Sequence, residues 1–137
     1  MVQYRTSTEG ITASMLTGFF VGWPNPPNSE THLRILTGSS HVVLAMDSLG
    51  ERIIGFITAL SDGVSAAYIP HLEVLPEHQG FGIGRELVQR MLKQLNDIYM
   101  IDLLCDENVV PFYEKLGMNQ AIGMYIRNYH NQSGLQL

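Results

Sequence analysis

Three glycines at alternate positions, Gly80, Gly82 and Gly84, separate a strand-like run ending near Leu75 from an amphipathic helix carrying Leu87, Val88, Met91, Leu92 and Leu95 on one face. Glycine reaches backbone conformations closed to other residues and lets the main chain approach a ligand closely. The first N–H groups of the helix that follows have no internal partner, and with the helix dipole they form a site suited to phosphate. On spacing alone the same residues could also be a tight turn and nothing more. Beyond the helix, Ile98–Cys105 is apolar except at Asp102, as in a strand covered on both faces. Strand, glycine turn, helix and strand in that order predict a βαβ crossover.

Two common phosphate loops do not fit. A dinucleotide fingerprint counted from Gly80 would need its third glycine where Arg85 stands, and Pro76–Gln79 separates the strand from the glycines. A nucleotide P-loop needs Gly-Lys-Ser/Thr, and neither Lys93 nor Lys115 follows a glycine.

The rest of the chain supplies antiparallel strands and short helices. Val2–Arg5 alternates like a strand, and Ile11–Phe20 has helical spacing until Trp23–Asn28, with its three prolines, stops it. Ser29 is placed to cap a second helix that ends at Gly38. Ser40–Met46 and Arg52–Leu60 read as a hairpin joined at Asp47–Glu51, and a third strand runs from Ala66 to Leu75. Val109–Leu116 reads as a short helix ended by Gly117, and Gly123–Arg127 as a closing strand. This is an α+β pattern in a single domain over residues 1–137, with residues 128–137 a polar tail.

Composition narrows the function. The chain has 45% hydrophobic and 15% charged residues and a formal charge of −5, the balance of a globular domain with few cations to neutralise phosphates. Nucleic acid and anionic membrane are not expected partners. No apolar run approaches the roughly 20 residues of a bilayer span, and Met1–Arg5 lacks the layout of a signal peptide. A cytoplasmic location is expected. The lone Cys105 forms no internal disulfide and reads as a core thiol, and His32, His41, His78 and His130 lack metal-ligand spacing, so no metal is expected.

Gln79-Gly80-Phe81-Gly82-Ile83-Gly84 resembles the Gln/Arg-x-x-Gly-x-Gly/Ala signature of the GNAT superfamily of N-acetyltransferases, and Leu72–Glu77 resembles the strand end before it. Pro111–Met118 is similar to that family's second motif, with Met118 in place of the usual Phe. The order of elements matches over about residues 2–127. The resemblance implies a mixed, mostly antiparallel sheet with helices on both faces, whose strand before the glycines splays from the strand after the helix. It implies acetyl-coenzyme A as co-substrate. Gln79, Gly80, Phe81, Gly82, Ile83, Gly84 and Arg85 would wrap its pyrophosphate, and main-chain groups of Leu72 and Val74 would pair with the pantetheine arm.

Acyl transfer to an amine needs a neutral amine, a donor for the oxyanion and a proton for the leaving thiolate. The resemblance gives the last task to Tyr113; alternatively its ring packs beneath the sheet beside Phe112. The donor would be a backbone N–H such as that of Val74. Family members often place a base nine or eleven residues before the glycine signature, where this chain has Pro70 and Tyr68. His71 and Glu73, which share one strand face, are the nearest substitutes; a structural histidine and a solvated or salt-bridged carboxylate are the other readings. Pro70 marks a bulge or the point where two strands part. Trp23 either walls the acceptor pocket or joins the core. Asn108–Tyr113 also resembles plant-type arylalkylamine acetyltransferases, which makes an aromatic amine one candidate acceptor. The expected function is direct acetyl transfer to a primary amine of a small molecule or peptide. Its competitor is an acyl-coenzyme A sensor or subunit without turnover. The apolar Met124-Tyr125-Ile126 makes a homodimer an open possibility.

Overall fold

The apolar runs expected to pair as neighbouring antiparallel strands do so. A computed structural model describes residues 1–135 and holds one five-stranded sheet in sequence order: β1 (Gln3–Arg5), β2 (His41–Met46), β3 (Ile53–Ser61), β4 (Ala66–Val74) and β5 (Met100–Asp102). β1 to β4 are antiparallel neighbours, and β5 lies parallel to β4. Gln136 and Leu137, the last residues of the expected tail, lie outside the described residues. The β3–β4 turn is organised by Asp62, whose Oδ1 accepts the backbone N–H groups of Val64, Ser65 and Ala66. Those bonds hold its carboxyl below the usual value.

Alternation along β3 separates the two faces of the sheet. Gly55 lies beneath α2 (Ile83–Gln94), where an added Cβ would stand 3.1 Å from Leu87 and 3.3 Å from Ile83. Its neighbour Phe56 turns the other way, edge-on to Phe19 at 5.2 Å and tilted against His32 at 4.3 Å. His32 belongs to α1 (Ser29–Gly38), so helices cover both faces. The buried apolar residues run from Ile11 to Leu95, and none of the described residues after Leu95 is buried.

Several expectations are corrected. Ile11–Phe20 is not a helix but a single 3-10 turn at Ala13–Leu16, because the chain reverses through Gly18 at φ 94° and Phe20 at φ 61°. α1 begins at Ser29, yet its cap is Asn28, whose Oδ1 accepts Thr31 N–H at 2.8 Å. Ile98–Cys105 contracts to the three residues of β5, and as the last strand of the sheet β5 is partly exposed rather than covered on both faces. Cys105 is therefore exposed, not a core thiol. The expected helix Val109–Leu116 is a 3-10 turn at Glu107–Val109 leading into α3 (Val110–Glu114). Gly123–Arg127 forms no strand, since nothing in the described chain pairs with it. Among the described residues no helix is long and apolar enough to cross a membrane.

Candidate active site

The glycine turn folds as its composition requires. After a 3-10 turn at Pro76–His78, the chain enters α2 through Gly80 at φ 87° and Gly82 at φ 83°, both in the left-handed region that side chains strain to adopt. A Cβ at either position would meet nothing within 4 Å, so both face open space. The first helical bond runs from Glu86 N–H to the Gly82 carbonyl at 3.1 Å. The N–H groups of Ile83, Gly84 and Arg85 come before it and have no helical acceptor. At Gly84 a Cβ would lie 3.7 Å from the ring of Phe112, an ordinary contact between α2 and α3. Gln79 ties the loop back to β4 by donating from Nε2 to the Val74 carbonyl at 3.0 Å.

β4 has two unlike edges. It pairs with β3 out to Val74, opposite Gly55, but with β5 only at Ala66, Ala67 and Tyr68. The β3–β4 register slips between Thr58 and Leu60, which lie opposite His71 and Tyr68, so β4 carries an extra residue at Ile69–Pro70. Pro70, with no N–H, therefore sits at a bulge, next to the point where β5 departs. Successive residues of a strand turn their N–H and C=O groups to opposite edges. Leu75 N–H bonds Ile54 on the β3 side at 2.9 Å, which leaves Leu72 and Val74 facing the open edge.

Beside that edge lies a cavity of about 420 Å³ walled by Phe20, Trp23, Phe56, His71 and Glu73. Trp23 is a wall residue here, 38% exposed. The ring of His71 lies 5.8 Å from Phe20 and 6.2 Å from both Trp23 and Phe56. Burial lowers its pKa below 6.5, so the imidazole is neutral at pH 7. Glu73 spans the wall: its Oε1 accepts Phe20 N–H at 2.8 Å and its Oε2 accepts Val21 N–H at 3.2 Å. The two bonds hold Phe20 in its positive-φ conformation, which is costly for a bulky residue.

Tyr113 lies apart from this group. It is half-buried, edge-on to Phe112 at 5.0 Å, and lines a second gap of about 920 Å³ between β5, α3 and the segment after Met118. Burial, with a smaller contribution from Cys105, pushes its phenol up to about 12.

Residues 9–118 match the acetyltransferase (GNAT) family. This chain belongs to that family. A candidate acetyltransferase of known structure from Deinococcus radiodurans R1 shares 50% sequence identity with a TM-score of 0.95, over 99% of this chain and 94% of that one. A Glycine max protein named histone acetyltransferase TAP1 is 34% identical over 109 residues, which cover 71% of this chain and 46% of that protein. Serotonin N-acetyltransferase 2, chloroplastic, from Oryza sativa subsp. japonica is 32% identical over 118 residues, 82% of this chain and 59% of that protein. The chain thus spans about half the length of the curated relatives it matches.

GNAT enzymes generally use acetyl-coenzyme A, and the residues present fit it. Open space at Gly80 and Gly82, free N–H groups at the start of α2 and an unpaired β4 edge are the features a diphosphate and an amide-bearing arm require. Sequence reasoning gave no role to His32, which is 1% exposed with both ring nitrogens lacking a hydrogen-bond partner. Its enclosure by Phe19, Phe20 and Phe56, and the proximity of His71, push its pKa down to about 4. The available signal was its spacing from Leu36, since residues four apart share a helix face.

Proposed function

We propose that this GNAT protein is an acetyl-coenzyme A-dependent N-acetyltransferase whose acceptor is a small primary amine bearing an aromatic ring. One observation carries the reading: the cavity beside the open edge of β4 is walled by three aromatic side chains around a neutral imidazole. A flat apolar acceptor gains burial against Phe20, Trp23 and Phe56. The serotonin N-acetyltransferase name of the rice relative is consistent with such an acceptor.

Each residue then has one task. The Gln79–Arg85 turn holds the diphosphate, and Leu72 offers its main-chain groups to the pantetheine arm. The Val74 carbonyl already receives Gln79, which leaves its N–H as the oxyanion donor. His71 accepts the proton of the attacking amine, directly or through water. Glu73 holds the pocket wall, since both its oxygens are engaged on backbone amides. A phenol near 12 cannot readily surrender its proton to a thiolate whose acid is near about 8.5. Tyr113 therefore acts as a hydrogen-bond donor to the leaving sulfur.

The test is coenzyme release across a panel of phenethylamine-type amines, aliphatic diamines and a lysine peptide. The reading expects the highest kcat/KM with the aromatic amines. Preference for the peptide would move the acceptor class, and coenzyme binding with no turnover on any amine would leave a sensor or subunit. His71→Gln is expected to lower kcat about 100-fold without weakening coenzyme binding. Because burial depresses the His71 pKa, the wild-type rate falls only as the pH drops below the ordinary histidine range. The variant should lose that acidic limb.

A further inference from the structure

The face of the sheet that carries the aromatic cavity also carries two buried polar side chains left without hydrogen bonds. His32 is 1% exposed and Thr58 fully buried, and neither ring nitrogen of His32 nor Thr58 Oγ1 has a partner among the described residues. Buried polar atoms are nearly always paired, with protein or with ordered water, so two such groups in one place ask for a reason. Strand geometry brings them to His71. Thr58 stands directly opposite His71 in the β3–β4 ladder, as Phe56 stands opposite Glu73, so these four side chains leave the same face. The Cβ atoms of such a pair are about 4.5–5.5 Å apart. His32 reaches this face from α1, with its ring 4.3 Å from that of Phe56, and is near enough to His71 for that ring to disfavour its protonation.

His71 is in the same condition. Among the described residues the one histidine ring in a hydrogen bond is that of His41, to Gln94 Oε1 at 3.2 Å. An imidazole that serves as a base needs its second nitrogen held, because the bond made there decides which nitrogen carries the proton. Glu73 is committed elsewhere, with its two oxygens on Phe20 and Val21 N–H. Phe20 and Phe56 offer no acceptor, and the indole N–H of Trp23 can only donate. The titratable groups facing His71 are His32 from α1 and Glu73 from its own strand; β3 and the Phe20–Trp23 loop contribute none.

We propose that Thr58 and His32 are positioning residues for His71, holding between them one internal water that accepts the inner N–H of its ring. That water donates one hydrogen to Thr58 Oγ1 and the other to a ring nitrogen of His32. Three polar partners are what a buried water ordinarily has. A polar pair that stands face to face without bonding directly is also where water bridges. The outer nitrogen of His71 then keeps its lone pair towards the cavity. When it takes the proton of the attacking amine, the imidazolium formed already has its second N–H bonded, and no group must reorient at that moment. His32, with a pKa of about 4, is neutral at pH 7 and accepts from the water without competing for the proton. This inference rests on the reading of His71 as the proton acceptor.

Nitrogen-15 spectra of the histidine rings test the geometry with no acceptor amine present. Near neutral pH the full chain should show His71 with its proton on one ring nitrogen alone. Thr58→Val, which removes the hydroxyl but keeps the branched shape, should show both tautomers, and identical spectra from the two proteins sink the idea. Kinetics then test the role. Thr58→Val and His32→Leu should each lower kcat about tenfold, with the KM of the amine and the coenzyme affinity unchanged. Loss of the acceptor disfavours the imidazolium, so the acidic limb of the kcat profile moves to lower pH in both variants. Thr58→Ser and His32→Gln, which keep a polar atom at each place, should recover most of the rate and return the limb. A fall in kcat with the limb unmoved, or no recovery in the conservative variants, means a packing role and overturns the proposal. A chain that binds coenzyme but acetylates no amine refutes the acetyl-transfer reading instead, while the nitrogen spectra still decide whether Thr58 and His32 fix the ring.

Discussion

The two edges of β4 have opposite designs. Towards β3 the ladder continues to Val74, and Phe56 on that neighbouring strand is fully buried among Phe19, Phe20 and His32. Towards β5 the pairing stops after Tyr68, and no described residue after Leu95 is buried. Buried backbone groups must be paired, so an edge left open in a folded domain is available to a ligand or another chain. The closed edge lies against the buried core, and the open one leaves main-chain groups of Leu72 and Val74 unpaired by any strand.

The sharpest way to break this comparison is Phe56→Ala. Loss of a fully buried ring at the closed edge should cost about 3–5 kcal/mol in urea unfolding, through lost burial and the cavity left behind. A loss below about 1 kcal/mol would mean that the closed edge is not where stability resides. Next is acid. His32 has a folded pKa of about 4 against 6.5 in the unfolded chain, so the unfolded state binds the proton first as pH falls. Its contribution is fully present above about 6.5 and is lost by about 3 kcal/mol as pH drops towards 4. His32→Leu should flatten stability across that window, and an unchanged slope would assign the acid sensitivity to other groups. The smallest effect belongs to the open edge. Tyr113→Phe should slow acetyl transfer about tenfold while leaving unfolding within about 0.5 kcal/mol of the parent. An undiminished rate would remove Tyr113 from the chemistry.

The glycine turn and the paired strands were legible in the sequence because each is a local pattern. Left-handed glycines mark their own turn, and alternation marks its own strand. Pro70 was legible for the same reason: proline costs least where a ladder is already broken, and it stands at the bulge. The misreadings are non-local. Ile11–Phe20 has helical spacing, but Glu73, more than fifty residues away, holds Phe20 in a conformation that no helix admits. Cys105 and Ile98–Asp102 have core composition, yet they lie at the last strand of the sheet, where burial depends on what packs beyond it. The residues of the candidate site divide in the same way. The glycine loop was readable from spacing, whereas the grouping of Trp23, His71 and Glu73 around one cavity depends on how a proline-rich loop folds back onto β4.

The carboxylate of Glu73 has a mechanical consequence. It hangs the aromatic wall of the cavity from the strand whose next residue, Val74, turns its main chain to the open edge of the sheet. A shift of β4 by a fraction of an ångström therefore reaches Phe20 and Val21 through two hydrogen bonds as well as through the packing of His71 on Phe20. Glu73 is thus the pin that fastens the aromatic wall to β4.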